Sequence, residues 1–221
     1  MKTCRVLDEE DHPVVGSHLL DLRDVERQRD RYRFRRSLKN LGRILGYEAA
    51  RLLPVRRVPV TTPLGLAEEP VLERQPVLAA VLRASLPLWD GLLEIFPEAD
   101  SLVIGASRRE GSLQEGTLEM EVDLDYSALV SVEGRPLVYA DPMIATGSTL
   151  RKIHPVICAR AGKPSGVIVL GVVAYRLAME SLRDALDADV IVASADDHLD
   201  ERGYIVPGLG DAGDLALGVK I

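Results

Sequence analysis

The chain has 221 residues, 47% hydrophobic, 28% charged and 4% aromatic, with a formal net charge of −7 and a pI near 5.2. That mixture suits one globular domain over residues 1–221, its core built from Leu, Val, Ile and Ala rather than from aromatic rings. The acidic balance argues against general nucleic-acid binding, and no apolar run approaches the ~20 residues that cross a bilayer.

The first twenty residues are mixed, and His12-Pro13 is expected to break any regular element. Residues 22–53 read as helical, because Leu38, Leu41, Leu45, Ala49 and Leu52 recur at three- and four-residue spacing. Gly42 and Gly46 either interrupt this helix or allow a close neighbour. Its early part mixes arginines with Asp24, Glu26 and Asp30, the pattern of an ion-paired, solvated face. After Pro54, residues 57–65 suggest a short edge strand and turn, and residues 68–76 a polar connection.

From there apolar runs alternate with helical patterns. Residues 77–82 read as a buried parallel strand leading into Arg83-Ala84-Ser85, and residues 87–95 as a helix. A second strand covers residues 102–106 and ends in Ser107-Arg108-Arg109-Glu110. Residues 111–122 are polar and punctuated by glycine, and residues 122–126 alternate, which together suggest a hairpin or lid. Strands are further expected at 137–140, 166–174 and 189–193, with a helix through about Ala185 between the last two. The implied architecture is α/β, a parallel doubly wound sheet with an N-terminal helix and a β-hairpin or lid elaboration.

The stretch most suggestive of chemistry is residues 138–150. A buried strand ends at the carboxylate of Asp141, and Pro142-Met143-Ile144 leads to the small-residue turn Ala145-Thr146-Gly147-Ser148-Thr149, with a helix over residues 150–161. Such a turn lets backbone N–H groups converge on an anion at a helix N-terminus. The plainer alternative is a strand–turn–helix connection in which Ser148 or Thr149 caps the helix. A second candidate lies in residues 203–214, Gly-Tyr-Ile-Val-Pro-Gly-Leu-Gly-Asp-Ala-Gly-Asp, whose glycines permit close backbone approach to a flat ligand. Cys4 and Cys158 supply neither a disulfide framework nor a zinc site, so a reducing cytoplasm is the expected setting. His12, His18, His154 and His198 show no metal-ligand spacing, and no protein metal site is expected.

The 138–150 stretch resembles the phosphoribosyl-diphosphate (PRPP) motif of type I phosphoribosyltransferases in the form used by uracil phosphoribosyltransferases, with Asp-Pro at the strand end. Residues 203–214 resemble the uracil-binding signature of the same family, and Leu82-Arg83-Ala84 its pyrophosphate loop. Residues 41–48 and 103–108 are similar to the archaeal branch. The resemblance implies transfer of 5-phosphoribosyl from PRPP to uracil, giving UMP and diphosphate. It implies that Arg83 and Arg108, the latter ahead of Arg109, hold the diphosphate together with Mg²⁺ carried mainly by PRPP. Asp141 would face the ribose hydroxyls, Ala145 to Thr149 the 5′-phosphate, and Ile205, Gly210 and Ala212 the base, with Asp211 toward PRPP or its metal-bound water and with Pro142, Met143 and Ile144 also among the substrate-binding residues. Arg83, Asp141 and Asp211 are thus the expected catalytic residues. A homodimer or homotetramer and nucleotide effectors, GTP among them, are further implications. A regulatory protein that kept the pocket without turnover, or a transferase for another base, are the competing readings.

Overall fold

The computed structural model describes residues 2–109 and 121–219. β1 (Cys4–Val6) is followed by α1 (Pro13–Arg23) and α2 (Arg31–Ala50). The expected single helix over 22–53 is therefore two, and the break lies after Arg23 rather than at His12-Pro13. Proline needs no intrahelical N–H at the first position, so Pro13 opens α1 while the His12 ring accepts from Val15 N. Asp30 caps α2 by accepting from Tyr32 N and Arg33 N. Of the stripe read from the sequence, Leu38, Leu41, Leu45 and Ala49 are fully covered, the leucines worth roughly 1.5–3 kcal/mol each, whereas Leu52 lies past the end of α2 and is exposed.

β2 (Val55–Thr62) and β3 (Gly65–Leu72) form a separate antiparallel hairpin, paired from Val55–Leu72 to Thr62–Gly65. The connection expected over 68–76 is mostly this second strand. It was illegible because both strands are largely exposed, and without a buried face no alternation is imposed.

The remaining elements alternate. β4 (Val77–Leu82), α3 (Leu86–Ile95) and β5 (Asp100–Arg109) come first, then β6 (Glu121–Ala128), β7 (Pro136–Ala140) and the short β8 (Met143–Ile144). α4 (Ser148–Ala161), β9 (Gly166–Tyr175), α5 (Arg176–Leu186) and β10 (Ala188–Asp196) follow. Among the described residues the main sheet has the order β1-β10-β9-β7-β4-β5-β6, with β8 beside β9. Its pairings are parallel except β5 with β6. Residues 110–120 of the expected lid lie outside the described residues, and the alternating run after them is part of β6.

Side chains of α1, α2 and α3 pack on one face of this sheet and those of α4 and α5 on the other. That is the doubly wound arrangement. α2 and α3 cross closely at two glycines: a Cβ on Gly42 would collide with the Leu88 carbonyl, and one on Gly91 with the Lys39 carbonyl. Gly42 therefore allows a close neighbour rather than interrupting the helix. Lys39 Nζ reaches Asp90 at 2.6 Å and Glu94 at 2.8 Å, and Arg43 also pairs with Glu94. No helix among the described residues is long and apolar enough to cross a membrane.

Candidate active site

β4 and β7 lie side by side, but the chain leaves them in opposite directions: β4 continues through α3 to β5, and β7 through α4 to β9. A crevice opens outside the carboxyl ends of two such strands, where open α/β sheets bind ligands. The cleft found there is lined from three directions. Val81, Leu82, Arg83 and Ala84 come from the end of β4, Asp141, Met143, Ala145 and Thr149 from beyond β7, and Gly203 to Ile205 and Gly210 to Gly213 from the C-terminal segment. Residues more than a hundred positions apart in sequence thus share one cavity.

The turn after β7 is held from below. Pro142 O accepts from Val172 N and Val173 N at 3.2 and 3.0 Å, and Asp141 Oδ1 accepts from Met143 N at 3.2 Å. Gly147, at φ +69°, is the N-cap of α4, with no side-chain cap. Neither Ser148 nor Thr149 caps α4 through its side chain, so that part of the plainer alternative fails. Thr146 Oγ1 instead donates to Ser148 Oγ at 2.9 Å and accepts from Ser148 N at 3.3 Å. Only a residue without a Cβ fits at 147, since an added one would lie 2.9 Å from Leu182 Cγ.

The C-terminal segment forms the far wall. β11 (His198–Leu199) and β12 (Ile205–Val206) pair as a small antiparallel ribbon, and α6 (Ala212–Leu217) follows. Asp211 caps α6 through Oδ1, which accepts from Asp214 N at 2.9 Å. On the opposite wall Arg83 Nη2 donates to Asp214 Oδ1 and to Gly218 O, each at 3.3 Å. The Leu82–Arg83 and Val206–Pro207 peptides are cis.

A family model described as uracil phosphoribosyltransferase matches residues 9–218. The chain belongs to the uracil phosphoribosyltransferase family. It is 38% identical over 213 residues to a uracil phosphoribosyltransferase of Metallosphaera sedula, covering 94% of this chain and 97% of the relative. It is 33% identical over 213 residues to one of Porphyromonas gingivalis, covering 96% of each. Family resemblance therefore reaches both archaeal and bacterial members. A solved structure of an Aquifex aeolicus protein superposes with a TM-score of 0.82 at 28% identity, over 99% of this chain and 100% of that one.

Of the residues singled out from the family motifs, the cleft gathers Arg83, Asp141, Met143, Ala145, Thr149, Ile205, Gly210, Asp211 and Ala212. Pro142 and Ile144 sit differently. Both are buried, and Ile144 packs in the core against the Gly171 side of β9. They support the turn rather than line the cavity. Thr146, Gly147 and Ser148 are half-buried beside it. Arg108 stands near the end of β5, its backbone opposite Val122 of β6.

Two supports escaped the sequence reading. Asp196 is buried; its Oδ2 accepts from Gly208 N at 2.9 Å and its Oδ1 from Arg23 Nη2 at 3.0 Å. Arg23 also donates to Ser194 Oγ at 2.7 Å. Arg23 is thus a tether for the glycine-rich turn rather than a member of a solvated face. Tyr204 and Gly203 also line the cleft; both stand inside the twelve-residue family signature, which could have flagged them.

No group of three or more His, Cys, Asp or Glu is placed to hold a metal among the described residues. Asp141 and Asp211 do share the cleft. Mg²⁺ binds through one or two carboxylates plus substrate phosphates and water rather than through an all-protein cage. This donor set fits a cation that arrives with a polyphosphate.

Proposed function

We propose that this protein transfers the 5-phosphoribosyl group of PRPP to uracil, forming UMP and diphosphate. The observation that carries the reading is the convergence of three family motifs on one cleft: the arginine after β4, the acid and turn after β7, and the glycine-rich C-terminal loop. In the reaction the C1′–O bond to diphosphate breaks as a bond to uracil N1 forms, and the N1 proton is released to solvent. Positive charge grows on the ribose and negative charge on the leaving group, so catalysis is mostly positioning and charge stabilisation.

Each wall then has a task. Arg83, with Arg108 joining from β5, balances the diphosphate. Asp141 receives the ribose hydroxyls. The first turn of α4, with Ala145 to Thr149, receives the 5′-phosphate. Backbone groups of Ile205, Gly210 and Ala212 read the uracil edge. Asp211, one of whose oxygens is committed to capping α6, turns the other toward PRPP. Asp141 and Asp211 would hold Mg²⁺ jointly with PRPP, and the cation would supply charge neutralisation at the diphosphate. The reading includes a cytoplasmic setting and a homodimer or homotetramer, for which the exposed Leu64 and Leu66 of the β2–β3 hairpin offer an apolar surface. It also includes response to nucleotide effectors such as GTP.

The test is UMP formation from labelled uracil and PRPP with Mg²⁺, run beside Asp211→Asn. Turnover that collapses in the variant supports both the reaction and the role of the loop. PRPP binding without turnover on uracil would instead favour a regulatory protein or another base. Repeating the assay with GTP, and measuring mass by sedimentation, addresses effectors and assembly.

A further inference from the structure

Resting on that reading, we propose that Asp214 is a positioning residue: it orients Arg83 for the diphosphate of PRPP and so ties the base-receiving loop to the leaving-group loop. Arg83 follows β4 by one residue and reaches the C-terminal segment with a single nitrogen. Its Nη2 donates to Asp214 Oδ1 and Gly218 O, both at 3.3 Å. Its Nε is buried and makes no hydrogen bond among the described residues. A guanidinium is planar, so fixing one edge while the Nε edge is enclosed sets the plane of the whole head. The orientation of this arginine is therefore imposed from α6, 131 positions away in sequence.

Asp214 is itself held firmly enough to do this. Its N–H donates to Asp211 Oδ1 at 2.9 Å, and its carbonyl accepts from Gly218 N at 2.9 Å. The helix around it is anchored by buried Ala212, Gly213 and Ala216, and Arg35 Nη1 donates to Ala216 O at 2.9 Å. The loops also touch directly: a Cβ on Gly213 would lie 3.9 Å from Ala84 Cβ. Asp211 and Arg83, both assigned to PRPP, are therefore joined through one residue that need not touch the substrate. The ion pair is long, and both side chains are about one-third exposed, 36% and 32%. One carboxylate at that distance orients the guanidinium without cancelling it, and the more highly charged diphosphate outcompetes any hold Asp214 has on the other donors.

The experiment compares Asp214→Ala with Asp214→Asn, which keeps an acceptor but loses the charge. KM for PRPP and KM for uracil are measured separately, together with calorimetric PRPP binding without uracil and thermal unfolding. The expected result is a rise of roughly five- to tenfold in PRPP KM for Asp214→Ala, a smaller rise for Asp214→Asn, and an unchanged uracil KM. In an Arg83→Met background the same substitutions should add nothing to PRPP binding. Equal rises in both KM values, unchanged or tighter PRPP binding, or effects that simply add to Arg83→Met would overturn the proposal. Should the parent bind PRPP but fail to use uracil, weaker PRPP binding by Asp214→Ala would still uphold the positioning role while the base assignment fell.

Discussion

Replacing Gly147 with Ala should weaken both the fold and the grip on the 5′-phosphate. Gly147 caps α4 at φ +69°, and the left-handed region costs a residue bearing a Cβ about 1–2 kcal/mol. The new Cβ would stand 2.9 Å from Leu182 Cγ, with both δ carbons within 3.2 Å. Leu182 is fully buried in the core under α4 and α5, so relieving the contact displaces a packed side chain at roughly 1–3 kcal/mol. Together these give about 2–5 kcal/mol, a fall in Tm of roughly 4–20 °C for a domain of this size. Urea denaturation measures the stability loss, and KM for PRPP, expected to rise, reports the displaced turn. A cycle with Leu182→Ala isolates the packing part. Alone that change opens a cavity costing about 2–5 kcal/mol, but beside the methyl group introduced at position 147 the two penalties should fall short of their sum by about 1–3 kcal/mol. A Gly147→Ala variant within about 0.5 kcal/mol of the parent, or a double variant that is strictly additive, would refute the reasoning.

Asp211→Asn retains an oxygen able to cap α6, so it should cost less than about 0.5 kcal/mol, whereas Asp211→Ala should lose about 1 kcal/mol. Both should lose turnover, and denaturation run beside the UMP assay separates the capping role from the chemical one. Tyr139 is buried and its hydroxyl lies 2.9 Å from His154 Nδ1; Tyr139→Phe strands that nitrogen and should destabilise by about 1–3 kcal/mol in urea titrations. Burial lowers the pKa of His154, so its contribution is full above the unfolded value of about 6.5 and fades as pH falls toward the folded one. Stability measured between pH 8 and 5 should decline accordingly, and that increment should vanish in His154→Gln. Arg43, and then Lys39, lower the Glu94 carboxyl from 4.5 to about 2. Any stability it lends is present above 4.5 and is lost as pH falls through about 2. An NMR titration placing Glu94 near 4.5 would refute the α2–α3 ion pairs.

What could be read from the sequence followed burial. β4, β7, β9 and β10 are covered on both faces, so each announced itself as an unbroken apolar run. The carboxylate after β7 and the arginine after β4 were then placed at strand ends without knowledge of the sheet order. β1 was missed because three residues are too few to carry a period, although Val6 pairs with Val192 in the main sheet. The short helix α6 was missed for a different reason. Its first turn holds Gly213 and Asp214, both poor helix formers, and six residues are too few to show a period, so its start is marked only by the Asp211 cap. The tethers Arg23–Asp196 and Arg83–Asp214 join residues 173 and 131 positions apart, and no local pattern encodes such a pairing. Motif resemblance supplied the cleft's members; only the fold supplied the residues that hold them.

The position of α6 at the end of the chain order also has a consequence for how the protein comes into being. During synthesis, every strand of the main sheet and the turn at 145–149 precede residue 203. A nascent chain halted before that point can assemble the sheet and the 145–149 turn, since folding proceeds as segments emerge, but it lacks both the wall proposed to face the base and the partners of Arg83. Those two missing parts arrive on the same segment. The residues proposed to face uracil therefore emerge just ahead of Asp214 and Gly218, the partners that fix the arginine.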